Sequence, residues 1–194
     1  MASKLAEFLL NPRPTHHEAA DQYIRYLHNT KNLAIYYSGS ADDTLVCMSD
    51  ASFADHVSDR KSSQGYVMKL FGGPILWKAG KQNTVTTSST EAELLALTNY
   101  AKKLIALDRL LTQIQLRLDG LLTLKYDNSQ TIRLLNAEFA KLFTKLRHVD
   151  VHRHWLRQEV QRQALQVDWV PTSEMIADGL TKALPRQRFE RFVD

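Results

Sequence analysis

The feature that most restricts the fold is a change of hydrophobic period part-way along the chain. Three strand-like runs, Thr44–Asp50, Gln64–Leu70 and Pro74–Ala79, follow one another across connections too short for a crossover, so they are expected to pair as an antiparallel meander. At Ser88 the period lengthens to that of a helix. Ser88-x-x-Glu91 has the form of a capping box, and Leu94, Leu97, Ala101, Leu104 and Leu111 make an apolar stripe running to about Ile114. A helix of this length carries the chain back along the sheet, so the next strand, Leu121–Asp127, is expected to lie parallel to one already formed. Helices are predicted over Ser129–Asn136 and Glu138–Lys145, and another across Val149, His152, Leu156 and Val160. A fifth strand, Leu165–Val170, stops at Pro171, and Ser173 can cap a last helix marked by Ile176, Leu180 and Leu184. The order predicts an α/β fold with a five-stranded mixed sheet, three antiparallel strands plus two parallel, flanked by helices.

At 194 residues there is room for one domain with a real core and a short appended segment. The segment is assigned to residues 1–30, a lead-in broken at Asn11-Pro-Arg-Pro14 and then an amphipathic helix opened by Thr15-x-x-Glu18 and carrying Ala19, Tyr23, Tyr26 and Leu27; the domain is residues 31–194. His16 and His17 at the helix start read as cap and surface chemistry rather than as metal ligands. With Cys47 the only cysteine, a disulfide and a cysteine-based zinc cluster are both excluded within the chain, which suits a reducing compartment. No apolar run reaches membrane-spanning length and no secretory signal is visible, so an intracellular location, cytoplasm (a virus-like particle included) or nucleus, is expected, with no membrane partner. The net charge is +4, and basic residues gather at Lys141–Arg162 and Arg186–Arg191. Charge alone fits a polyanionic partner and a solvated basic face equally well.

The acids are sharper. Asp50 ends the first strand and Asp127 the fourth, and open α/β sheets place ligand sites beyond the carboxyl ends of their strands. Taken singly, each would read as a turn or cap aspartate; two arriving at one edge is the informative fact. Glu91 lies one turn before Leu94 and Leu95, on the side of the apolar stripe, although it is also the closing member of the capping box. Asp178, early in the last helix, reads alone as a surface aspartate at a helix N-terminus. Carboxylates sharing a pocket call for a cation, and hard oxygen ligands without cysteine favour Mg²⁺ or Mn²⁺. Two such ions could activate water and stabilise a leaving oxygen in phosphodiester hydrolysis. His148, His152 and His154 offer a rival zinc site, but no glutamate follows His148, so the HExxH logic fails.

Ordered blocks then match a known family: Tyr23-Ile-Arg-Tyr-Leu27, Ser49-Asp-Ala-Ser-Phe-Ala54, Arg60-Lys-Ser-Ser-Gln-Gly-Tyr66, Trp77-Lys78, Ser88-Ser-Thr-Glu-Ala-Glu93, Tyr126-Asp-Asn-Ser-Gln130, Arg147-His-Val-Asp-Val151, Val170-Pro-Thr172 and Ala177-Asp178. Over nearly its whole length the chain resembles the ribonuclease H region of copia-type long-terminal-repeat retrotransposon polyproteins. The resemblance implies a ribonuclease H-like fold and cleavage of the RNA strand of RNA/DNA hybrids with two Mg²⁺ ions, Mn²⁺ being a possible substitute, held by Asp50, Glu91, Asp127 and Asp178. In that scheme Asp50 bridges both ions, Glu91 and Asp127 hold one, and Asp178 holds the one that delivers water. Ser88, Asn128, Gln130, Lys141, Lys145, Arg147, Arg153 and Arg157 are the expected nucleic-acid contacts. The reverse transcriptase of a parent polyprotein is a further expected partner. Two departures stand out: Asp50-Ala-Ser52-Phe53 lacks a second acid common there, and Thr172-Ser173-Glu174 follows Pro171 where relatives often place a histidine, leaving Glu174 as the candidate for product release. Two rival accounts remain, a catalytically silent hybrid-binding or scaffold protein of retroelement origin, and a DNA nuclease on the same fold.

Overall fold

The computed structural model describes residues 5–37, 44–56, 59–118, 120–136 and 147–193. The chain divides into two compact units, Met1–Tyr36 and Tyr37–Asp194. The first is built on helix α1, Pro14–Asn29, capped at Arg13 with His16 as its partner rather than by the expected Thr15 and Glu18, because proline suits the first helical position. His16 takes part in the cap: the Arg13 backbone N–H donates to His16 Nδ1 at 3.0 Å, and the His16 ring stacks on Phe8.

The second unit contains the sheet. Strands β1 (Val46–Ser52), β2 (Ser63–Leu70) and β3 (Gly73–Lys81) form the antiparallel meander. Helix α2 (Ser89–Gln113) then leads to β4 (Thr123–Tyr126), parallel to β1, and β5 (Gln166–Trp169) adds parallel to β4. The sheet order is β3-β2-β1-β4-β5, the mixed five-stranded arrangement expected from the element order. Between β4 and β5 run α3 (Ser129–Asn136) and α4 (Arg147–Gln161); the helix expected over Glu138–Lys145 lies outside the described residues.

The expected single last helix is instead a 3-10 turn (Thr172–Glu174), a one-turn helix α5 (Asp178–Thr181) and a separate helix α6 (Arg186–Val193). Lys182 adopts an extended conformation that ends α5, and Pro185, which has no N–H to give, stands just before α6. Among the described residues no helix is long and apolar enough to cross a membrane.

Alternation along β1 decides what each face of the sheet does. Cys47 points into the main core with Met68, Leu97, Leu104, Leu124 and Leu156, where α2 and α4 cover the sheet. Each such leucine, fully buried, contributes about 1.5–3 kcal/mol. Met48 points the other way, into a small cluster with Val170, Met175 and Ala177 beneath α5. Asp50, two residues on from Met48, therefore opens on the α5 face. Gly65, opposite Asp50 in the β1–β2 register, lets α5 settle there: a Cβ at this position would lie 2.6 Å from Leu180 Cβ and 3.2 Å from Thr181 Cγ2.

Candidate functional site

Asp50 and Asp127 reach one edge of the sheet on neighbouring parallel strands. The pairing Met48↔Lys125 carries forward to put Asp50 beside Asp127, which directly follows β4. Asp127 is braced from two sides: Trp169 Nε1 donates to its backbone carbonyl at 3.0 Å, and the Thr172 hydroxyl donates to Oδ2 at 3.0 Å. Asp50 is 6% exposed and accepts a hydrogen bond from the Thr181 hydroxyl. Burial pushes its carboxyl up to about 6; the Thr181 hydrogen bond and Lys182 pull against this, while Asp178 and Asp127 add to it.

Asp178 is fully buried at the start of α5. It is neutralised by two cations, Lys182 Nζ at 2.8 Å from Oδ1 and the Arg188 guanidinium on Oδ2. Lys182 also stands 3.6 Å from Asp50 Oδ2. Burial works against the ammonium charge, but Asp178, Asp50 and Asp127 outweigh it and hold the Lys182 pKa above its ordinary value. Arg188 additionally donates to the Thr172 carbonyl at 2.6 Å, tying α6 to the turn that follows β5.

The helix acid differs from the expectation. Ser88 does cap α2, accepting from Glu91 N at 3.1 Å, but the Glu91 carboxylate turns back to Thr87, accepting from its N–H at 2.6 Å and its hydroxyl at 2.9 Å. The carboxyl that feels Asp127 and Asp50 is that of Glu93. Its pKa is raised, first by burial and then by those two acids, against an opposing hydrogen bond from the Asn128 side-chain amide. Buried Tyr126, held well above the usual phenol range mainly by burial, senses the same Glu93, Asp50 and Asp127. Glu93 thus senses the two strand-end acids, and Asp50 senses Asp127 and Asp178, so Glu93 joins Glu91 as a candidate helix acid. The sequence signal was Glu93-x-x-Ala96-Leu97-x-x-Tyr100, since Ala96, Leu97 and Tyr100 are all buried beneath Glu93 on the helix. Lys182, four residues after Asp178, was also readable as a partner; Arg188 and Thr181 carried no such signal.

The expected nucleic-acid contacts fare differently. Ser88 is the helix cap, and Asn128 is committed to Glu93 and, through its oxygen, to Thr131 N at 3.2 Å. Arg153 and Arg157 lie half-buried one turn apart on α4. Lys141 and Lys145 lie outside the described residues, as do the side chains of Gln130 and Arg147.

The donor chemistry, four carboxylates and no thiol or imidazole, suits a hard divalent cation. As the side chains stand, however, no group of three or more such ligands among the described residues is arranged to hold a metal ion. Lys182 and Arg188 lie on the oxygens of two of these acids.

No family model matches the chain. It is 36% identical over 186 residues to the retrovirus-related Pol polyprotein from transposon TNT 1-94 of Nicotiana tabacum, covering 96% of this chain and 14% of that one. The corresponding polyprotein from transposon RE1 of Arabidopsis thaliana is 33% identical over 191 residues, covering 98% and 13%. The chain therefore spans a small part of each of these polyproteins. Among solved structures, LC11-RNase H1, isolated from compost, superposes with a TM-score of 0.55 at 13% identity, covering 78% of this chain and 99% of that one. The foamy viral protease-reverse transcriptase in complex with RNA/DNA hybrid gives 0.52 at 15% identity, covering 72% and 20%. By sequence the chain's homologues over nearly its whole length are Pol polyproteins of copia-type retrotransposons, and its fold is that of ribonuclease H.

Proposed function

We propose that this chain is a ribonuclease H that hydrolyses the RNA strand of RNA/DNA hybrids, with Asp50, Glu93, Asp127 and Asp178 as its metal-binding acids. The observation that carries this reading is that Asp50 and Asp127 reach one edge of the sheet, with Asp178 joined to Asp50 through Lys182 and Glu93 sensing both strand-end acids. Two Mg²⁺ ions, or Mn²⁺ in their place, would activate a water and stabilise the leaving oxygen. Asp50, which senses both Asp127 and Asp178, would be one of the residues holding the metal. Glu93 and Asp127 are each held by a neighbour, Asn128 for Glu93 and Thr172 for Asp127. Asp178 is oriented by Arg188. Such bracing is what a reaction needing fixed oxygen donors requires. Arg153 and Arg157 would meet phosphates of the hybrid, while contacts to 2′-hydroxyls would distinguish RNA from DNA. The likeness to Pol polyproteins supports action beside a reverse transcriptase, within an intracellular particle or the nucleus.

A silent hybrid-binding protein is the competing reading, favoured by Lys182 and Arg188 already neutralising Asp178. One assay separates the two. A hybrid labelled on both strands is incubated with Mg²⁺ or Mn²⁺, then with chelator. Metal-dependent shortening of the RNA strand alone, lost in Asp50→Asn, is the expected result; binding without cleavage would favour the silent protein.

A further inference from the structure

We propose that Lys182 is an exchangeable counter-cation: it holds Asp50 and Asp178 together when no divalent ion is bound and has to leave those oxygens for an ion to bind. This inference rests on the metal-dependent reading above. The ammonium lies 2.8 Å from Asp178 Oδ1 and 3.6 Å from Asp50 Oδ2, so one cation joins acids carried by two separate elements, α5 and β1. An ion held by these two oxygens would compete with the ammonium for them. Magnesium–oxygen bonds of about 2.1 Å leave no room for an ammonium at those oxygens.

Lys182 and Arg188 differ in their freedom to move. The Lys182 side chain is 43% exposed, and its ion pairs are made through a flexible stem beyond the end of α5, so it can swing to water. Arg188 is bound twice, to Asp178 Oδ2 and to the Thr172 carbonyl. Its helix is seated closely as well: a Cβ on Gly179 would lie 2.6 Å from the Phe192 ring, so α6 packs against α5 only because residue 179 has no side chain. Arg188 therefore keeps Asp178 oriented through one oxygen, while Lys182 covers the other.

Competition of this kind has a consequence opposite to that of a structural lysine. Removing the charge should tighten the metal site, because the ion no longer displaces a bound cation, and should weaken the ion-free protein, because among the described residues Arg188 is then left as the one cation against the buried acids. The test is calorimetric titration of the full chain with MnCl₂ in the absence of nucleic acid, paired with thermal unfolding with and without Mn²⁺. The proteins are wild type, Asp50→Asn, Lys182→Met, Lys182→Gln and Lys182→Arg. The expected result is wild-type binding that Asp50→Asn removes, at least about fivefold tighter binding in Lys182→Met and Lys182→Gln, and near wild-type affinity in Lys182→Arg, a fivefold change being the lower end of ordinary coupling between sites. Both neutral variants should melt lower than wild type without the ion and gain more from adding it. If either folds only with Mn²⁺ present, recovery of its circular-dichroism signal on adding the ion has the same meaning.

Equal or weaker Mn²⁺ binding by both neutral variants, while Asp50→Asn still abolishes it, would overturn the counter-cation role and leave the metal site standing. Wild-type protein that binds no Mn²⁺, or that binds it unchanged in Asp50→Asn, would overturn the metal-dependent reading and the counter-cation with it.

Discussion

Replacing Asp50 by asparagine should stabilise the ion-free protein at neutral pH. Asp50 is 6% exposed, and its carboxyl is moved from the ordinary 3.8 to about 6, chiefly by burial, so the folded state holds the proton more tightly than the unfolded chain does. A folded pKa above the unfolded one gives stability that is complete below pH 4 and is lost as pH rises through 6. At 1.36 kcal/mol per tenfold change in acidity, the loss by pH 7.5 is about 3 kcal/mol. Asparagine keeps the shape and an oxygen to accept from Thr181 but has no proton to lose. The variant should therefore exceed wild type by up to about 3 kcal/mol at pH 7.5, or roughly 6–12 °C in melting temperature for a domain of this size, and by almost nothing at pH 4.

Urea unfolding of both proteins in chelator at pH 4, 5, 6 and 7.5 measures this directly. Adding Mg²⁺ supplies the counterpart, since an ion bound only by wild type at about a hundred times its dissociation constant adds about 2.7 kcal/mol and cancels the advantage. A variant no more stable than wild type at pH 7.5, or a difference that does not shrink toward pH 4, would refute the claim that Asp50 is held ionised at a cost to folding. This trade, an acid kept where it weakens the fold, is what a metal-binding carboxylate should show and a turn aspartate should not.

Four other outcomes follow from the same structure. Glu93→Gln should lower hybrid cleavage by on the order of 10²–10³-fold. Glu91→Gln should keep most cleavage and cost about 1 kcal/mol in unfolding measurements, as loss of the Thr87 contacts at the helix start would; the reverse pattern would return the site to Glu91. Gly65→Ala should cost about 1–3 kcal/mol and reduce cleavage together, because the new methyl meets Leu180 and pushes α5, with Asp178, off the sheet; an alanine variant with full stability and activity would show that α5 is not seated as described. If Arg153 and Arg157 meet phosphates, replacing either by alanine should reduce the slope of hybrid affinity against log salt by about one, and an unchanged slope would remove that residue from the interface.

What the sequence disclosed follows from how far each signal reaches. Strand order and direction were legible because short connections and a long crossover leave few arrangements, and Asp50 and Asp127 came with them, since a strand's edge of the sheet is a property of its own backbone. Asp178 could be named but not aimed, because α5 is a single turn and its seating depends on the missing side chain at Gly65, more than a hundred residues earlier. Glu91 and Glu93 posed a harder problem. They sit two apart on one helix, about 200° around its axis, and each lies one turn before apolar residues, Glu91 before Leu94 and Glu93 before Ala96 and Leu97. The apolar stripe is wide enough to accept either. What separates them is the turn before the helix, where Thr87 presents an N–H and a hydroxyl to Glu91 and so spends its carboxylate locally. The Glu91 carboxylate bonds Thr87, one residue before the cap, rather than the Ser88 N–H of a capping box, and Glu93, two residues later, is the acid whose carboxyl senses Asp127 and Asp50.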